Sequence, residues 1–294
     1  DSNDALAQRL TVAEAVRKGG RKATSFDLIV PSTNLFRRLL SADLLQPLDT
    51  AVVTEALLSN LLPAMRALPS DPGNRYSVPW ANGTTGIGYD TRVFSTPPTW
   101  DVFLDATHKG KMSILKETRE AMSVALISLG SSVNTTNAGE ITAAEARLKE
   151  MLANASLNSA SYLDDLADGK LVAAHGYNTD VLQAQKRNPH LAWTVPEAGG
   201  TRWVDVLCIP RSAPNAKGAN RFMAYYLDPK VSAANAAYNL VATGNQAARQ
   251  FVPEAVLSNA AIYPPDSVAS KLAFIEDLGD AEKLYDEAWK RVAS

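Results

Sequence analysis

The chain has a single cysteine, Cys208, so no internal disulfide forms and a cysteine-rich zinc site is excluded. Histidine is nearly as scarce. His108, His175 and His190 form neither an H-E-x-x-H motif nor a close pair, so no metal site is expected. No apolar run approaches the ~18 residues that a transmembrane helix needs. An excess of charge of one sign is missing too. Lys plus Arg number 29 against 31 Asp plus Glu, a net charge of −2. Such a near-neutral chain is a poor candidate for nucleic-acid binding. There is no G-x-S-x-G elbow, no nucleophile–base pair and no cofactor motif, so no enzyme is expected. What is present is ordinary for a globular protein: 294 residues, 46% apolar and 20% charged. That apolar content excludes a disordered chain. At about 150 residues per domain the length predicts roughly two domains. The chain opens on Asp1, as a processed export protein or a cut chain would, so the residues do not show its compartment.

Hydrophobic patterning alternates between strand and helix. Asp4 to about Arg17 has helical spacing, and Lys18-Gly19-Gly20-Arg21-Lys22 reads as an exposed basic turn. Phe26–Val30 is a short apolar run ending at Pro31-Ser32, which predicts a buried parallel strand. Leu35 to Leu40 returns to helical spacing. Tyr76–Trp80 reads as a strand, and so does Gly83–Tyr89, where glycines allow close backbone approach. Its G-x-x-G-x-G order does not match a nucleotide loop. Thr142 and Glu145 have capping-box spacing before a helix carrying Ala144, Leu148 and Leu152. Leu171–Ala174 and Trp203–Pro210 read as strands, and Asn220–Leu227 and Ala281–Val292 as helices. The alternation predicts a layered α/β fold with mainly parallel sheets.

The residues with chemistry to offer are acids beside aromatics at strand ends. Asp180 follows Tyr177 by three residues, and Asp205 shares a strand face with Trp203. Glu117 and Glu120 follow the strand-like Met112–Leu115, near a helix start. Glutamates there also favour the helix dipole, and a tryptophan on a strand is usually core. Asp205 is the exception. With Val204, Val206, Leu207 and Ile209 around it, it is expected to be largely buried, and a buried carboxylate needs a partner. Arg202 points to the other face. A ligand cation would serve.

At these residues the chain resembles the periplasmic polyamine-binding proteins, the putrescine and spermidine receptors of ABC importers. The resemblance is carried by Asp1-Ser2-Asn3, Phe26–Ser32, Leu44–Asp49, Tyr76–Pro79, Gly83–Tyr89, Val204-Asp205-Val206, Ile262–Pro265 and Ala288–Val292. These segments run in order over nearly the whole chain. The resemblance implies a two-lobed Venus-flytrap fold of the type II periplasmic-binding-protein class, with crossing strands between the lobes. One lobe would comprise 1–83 and 204–249, the other 84–203 and 250–294. It implies carboxylates on ammonium ends at Glu120, Asp180 and Asp205, with Glu117 a possible extra. Aromatic walls would fall at Trp203 and at Tyr177, where the family usually has Trp, and Ser32 would line the cleft. It also implies a periplasmic monomer that passes its amine to a membrane permease without covalent chemistry.

The family's pattern is broken in three places. A strand and an Asn-Trp-Ser-Asp-Tyr segment are expected before the point matching Asp1. Thr11 to Thr24 reads as an insertion, and Val241 and Asn34 stand where relatives often carry Tyr. The segment Leu10 to Val16 is a candidate to fill the vacated space. The alternative is a degenerate binding-protein fold without polyamine affinity that acts through protein contacts.

Overall fold

The computed structural model describes residues 3–20 and 26–293. Asp1, Ser2, Arg21 and Lys22, which belong to the resemblance or to the expected basic turn, lie outside the described residues. Eight strands occur among the described residues: β1 (Leu45–Gln46), β2 (Ser77–Asp90), β3 (Met112–Ile114), β4 (Ser156–Leu157), β5 (Ala173–Tyr177), β6 (Leu191–Thr194), β7 (Gly200–Pro210) and β8 (Leu272–Phe274). The chain divides into two units, Asp1–Asn82 with Trp203–Leu257 and Gly83–Arg202 with Ser258–Ser294. The divisions fall inside β2, inside β7 and after Leu257.

In the first unit β7 is the organising strand. Val204, Val206 and Cys208 are buried on one face, while Trp203 and Asp205 are half-buried on the other. This is the period-2 pattern of a strand with one sealed face. β1 pairs antiparallel with its end, Leu45 opposite Pro210. Upstream, Ile29 bridges Cys208 and Ser32 bridges Asp205, both antiparallel. The Phe26–Val30 run therefore does not form a buried parallel strand. Only Ile29 is buried, while Phe26 and Val30 are 39% and 43% exposed, because a single antiparallel bridge fixes one residue and leaves its neighbours at the surface. The helix Thr33–Ser41 buries Leu35, Phe36 and Leu39 at helical spacing. The helix Asn3–Lys18 lies against it and buries Leu10 and Ala13. Its buried Glu14 is paired with Arg17 at 2.6 Å, which holds the carboxyl below its usual range.

In the second unit β2 pairs antiparallel with both β5 and β6, and β3 pairs parallel with β4 and β5. β7 begins here and pairs parallel with β8. The sheets are mixed rather than mainly parallel, because β2 pairs antiparallel with the strands on both sides of it in this unit. The glycines of β2 make that packing possible. A Cβ at Gly88 would sit 2.5 Å from Val181, and one at Gly86 would sit 2.4 Å from the Thr194 carbonyl oxygen.

The helix Thr118–Ser128 is buried almost all round, with Ala121, Met122, Val124, Ala125 and Leu126 in the core. The helix Ala138–Leu152 buries Ile141, Ala144, Leu148 and Met151 on one stripe. Thr142 is inside this helix, where its hydroxyl donates to the Ala138 carbonyl at 2.8 Å, so it does not cap. The cap is Asn137, whose Oδ1 accepts from Gly139 and Glu140 N–H. Glu145 on the same helix accepts from Lys149 and Arg291, which lowers its carboxyl pKa to about 2 and ties the C-terminal helix Glu282–Val292 in place.

Candidate functional site

Within the second unit the structure brings Glu117, Glu120, Tyr177 and Asp180 into one linked cluster. Two backbone features place them. β5 runs on past Ala174 to Tyr177, and the helix Asn178–Gln185 starts at the next residue, with Asp180 in its first turn. Asn178, fully buried, fixes this junction: its Oδ1 accepts from Thr84 N–H at 3.1 Å and its Nδ2 donates to the Ala261 carbonyl at 2.7 Å. Glu117 is the N-cap residue of the helix Thr118–Ser128, and Glu120 is in its first turn. Carboxylates suit both helix starts, where unpaired N–H groups make the local potential positive.

Tyr177 Oη donates to Glu117 Oε1 at 3.0 Å. Tyr162 Oη donates to Asp180 Oδ2 at 2.5 Å and accepts from the Tyr177 N–H at 3.1 Å. Burial pushes the Asp180 carboxyl up, and the hydrogen bonds from Tyr162 and Thr179 oppose that shift. Burial also pushes the Tyr177 phenol well above its ordinary value, with the negative Glu120 and Glu117 adding to the effect. Tyr162 is raised in the same direction by burial and then by Asp180. Both phenols therefore stay protonated and serve as donors to the acids.

Glu120 is buried, and Thr201 Oγ1 donates to its two oxygens at 3.3 and 3.0 Å. Since that hydroxyl has one proton, the Thr85 hydroxyl in close contact with it is the donor to Thr201. Among the described residues no Lys or Arg makes an ion pair with Glu120 or Asp180. Glu117 is exposed at the cluster's edge.

In the first unit Ser32, Trp203 and Asp205 fall together. Ser32 precedes the helix Thr33–Ser41 in extended conformation and bridges Asp205. Its hydroxyl does not cap the helix. Trp203 and Asp205 share one face of β7, and both are half-buried. The apolar sequence neighbours of Asp205, Val204 and Val206, belong to the opposite, sealed face.

Tyr162, Thr201 and Thr85 were not singled out in the sequence. No local pattern marks them, because each meets the acids through strand pairing or from a different helix. The seat of Tyr162 depends on a glycine. Gly176 stands opposite it, and a Cβ there would lie 2.4 Å from Tyr162 Cε2 and 2.9 Å from its hydroxyl. Gly176→Ala is expected to displace the Tyr162 ring and break its bond to Asp180. The cost is about 1–3 kcal/mol, the usual range for overpacking. A urea midpoint equal to that of the unmodified chain would show that the ring has room to move.

The family model for bacterial extracellular solute-binding proteins matches residues 5–264. The chain is 31% identical to the spermidine/putrescine-binding periplasmic protein of Salmonella typhimurium over 274 residues, covering 92% of this chain and 78% of that protein. It is also 31% identical to the putrescine-binding periplasmic protein PotF of Escherichia coli over 318 residues, covering 100% and 83%. A solved structure from Listeria monocytogenes, described as a spermidine/putrescine ABC transporter, superposes with a TM-score of 0.89 at 28% identity. That superposition covers 100% of this chain and 88% of the other. The fold is the α/β fold of the periplasmic binding proteins, and the chain belongs to the bacterial extracellular solute-binding protein family.

Proposed function

We propose that the chain is the substrate-binding protein of an ABC importer and carries a polyamine, putrescine or spermidine, to its membrane permease. The observation that carries this reading is the acidic cluster of the second unit. Glu120 and Asp180 are built into a frame of tyrosine and threonine donors with no Lys or Arg paired to them among the described residues. Removing carboxylates from water without a counter-charge is costly, so a cationic ligand is the natural partner. A primary ammonium offers three donors and an ionised carboxylate only accepts, so the two match. Charge-assisted bonds of this kind are the strong ones. The names of the relatives point to the same ligand class.

On this reading Glu117, Glu120 and Asp180 take ammonium groups beside the Tyr177 ring. Asp205 takes one beside Trp203, and Ser32 lines the same surface. Each aromatic face adds cation–π attraction of roughly 0.5–2 kcal/mol and covers methylenes. The two units correspond to the two lobes of the fold. The protein works in the periplasm, as its named relatives do, as a monomer and without covalent chemistry.

Calorimetric titration of the chain with putrescine and with spermidine tests this. A saturable one-to-one isotherm for either amine is expected, with affinity falling as salt rises. No heat from a folded sample would sink the polyamine reading and leave the alternative of a fold that acts through protein contacts.

A further inference from the structure

His175 has no part in the contacts assigned above, yet it is 1% exposed and stands beside Glu120. Its Nε2 is 3.7 Å from Glu120 Oε2, too long for a hydrogen bond but within ion-pair range. Its Nδ1 is buried with no hydrogen-bond partner. Such an orphaned polar atom calls for a physical reason. A residue that served only to fill volume at this place would be apolar, like Ile87 opposite it in register on β2.

We propose that His175 is a positioning residue for Glu120 that sets how much of its charge a ligand ammonium meets, resting on the reading that Glu120 takes such an ammonium. The surroundings isolate the pair. The helix Thr118–Ser128 contributes Glu120, with Glu117 at its N-cap held by Tyr177. β7 contributes the Thr201 hydroxyl, which is committed to Glu120, and β2 contributes Thr85 and Ile87. The segment Trp100–Leu104 contributes the Trp100 ring, edge-on to the imidazole at 5.5 Å. On β5 itself the nearest titratable group in sequence is the Tyr177 phenol, two residues on. Among the described residues His175 is the only basic side chain within ion-pair distance of Glu120.

The sign follows from charge counting. A neutral imidazole leaves the Glu120 carboxylate fully available to an ammonium. An imidazolium 3.7 Å away pairs with that carboxylate and competes with the ligand. Histidine is the side chain that changes charge in the physiological range. Affinity for a polyamine therefore falls as pH falls, and at a pH where His175 is partly protonated, ligand binding expels its proton. Binding and proton release are linked equilibria, so each reports on the other.

The experiment is calorimetric titration with putrescine at pH values between about 8 and about 6, and at about pH 6.5 in two buffers of different ionisation enthalpy. It compares the unmodified chain, His175→Met and Glu120→Gln. The unmodified chain is expected to lose about threefold to tenfold in affinity across that range and to release a fraction of a proton on binding. His175→Met, which fills similar volume without titrating, is expected to show a smaller slope and less proton release, what remains coming from Asp180, whose carboxyl burial pushes up. His175→Gln replaces it if the Met variant does not fold, with the same expectation. Equal slope and equal proton release in the His175 variant would overturn the proposal while Glu120→Gln still weakened binding. Unchanged affinity in Glu120→Gln, or no putrescine binding by the unmodified chain, would overturn the reading of the site and the role of His175 with it.

Discussion

Asp205→Asn is expected to weaken putrescine binding by about 30- to 150-fold, which corresponds to roughly 2–3 kcal/mol. Truncating one partner of a desolvated charge pair costs about 2–5 kcal/mol or more, much of it from leaving the other charge unpaired. The lower part of that range applies because Asp205 is half-buried rather than fully buried. Asn keeps the volume and one carbonyl acceptor but loses the charge that an ammonium needs. The backbone around it should be undisturbed. Ser32 bridges position 205 through the main chain, and Val204 and Val206 seal the opposite face whatever the side chain at 205. A melting temperature close to that of the unmodified chain should therefore accompany the loss of affinity. Unchanged affinity in calorimetry would make Asp205 a structural acid of β7 and remove it from the ligand contacts.

The parts of this protein that were legible in its sequence are those fixed by neighbours along the chain. The alternation around Val204-Asp205-Val206 put Trp203 and Asp205 on one face of a strand, and β7 has that face. The helical stripe of Ala144 and Leu148 and the terminal stripe of Tyr285 and Ala288 are likewise buried as their spacing requires. Partners set far away in sequence were not legible. The apolar run Phe26–Val30 could not reveal that only Ile29 would find a strand, since hydrophobicity encodes burial and not direction of pairing. Thr142 matched a capping pattern that helix interiors also satisfy, while Asn137 took the cap five residues earlier.

The candidate site divides in the same way. Glu117 and Glu120 are marked by their place near a helix start and Asp180 by its place beside Tyr177 past a strand end, and the resemblance gives them a role. Their supporting groups were invisible. Thr201 reaches Glu120 from β7, and Tyr162 reaches Asp180 from a separate helix. In the sequence His175 is a lone histidine just past the apolar run that ends at Ala174. The strand in fact continues to Tyr177, which carries the imidazole into the buried face beside Trp100.

Arg119→Met is expected to destabilise the second unit by about 3 kcal/mol, the low end of the cost of breaking a buried charged network. Arg119 is 8% exposed, and its guanidinium ties three separate segments to the helix that carries Glu117 and Glu120. Nη2 donates to the Val133 carbonyl at 2.9 Å and to Asn134 Oδ1 at 3.1 Å. Nη1 donates to the Glu276 carbonyl at 3.0 Å and to Glu282, at the start of the C-terminal helix. The guanidinium carbon also lies 4.3 Å from the centre of the Tyr285 ring. Met fills the space but satisfies none of these acceptors, and each buried acceptor left unpaired costs about 1–3 kcal/mol. Two features moderate the sum. The Glu282 side chain is 27% exposed and recovers hydration, and Val133 keeps a second donor in the Tyr285 hydroxyl at 3.2 Å. Arg119→Lys should rescue little, because one ammonium cannot span acceptors that the planar fork reaches on two sides. Hydrogen exchange is the discriminating measurement. Faster exchange should appear in Glu282–Val292 and in the first turn of Thr118–Ser128 together, since one side chain joins them. Loosening that first turn also moves Glu117 and Glu120, so polyamine affinity should fall alongside stability. Exchange that rises in only one of the two segments, or a urea-derived loss below about 1 kcal/mol, would mean that Arg119 is not what couples the C-terminal helix to the acidic cluster.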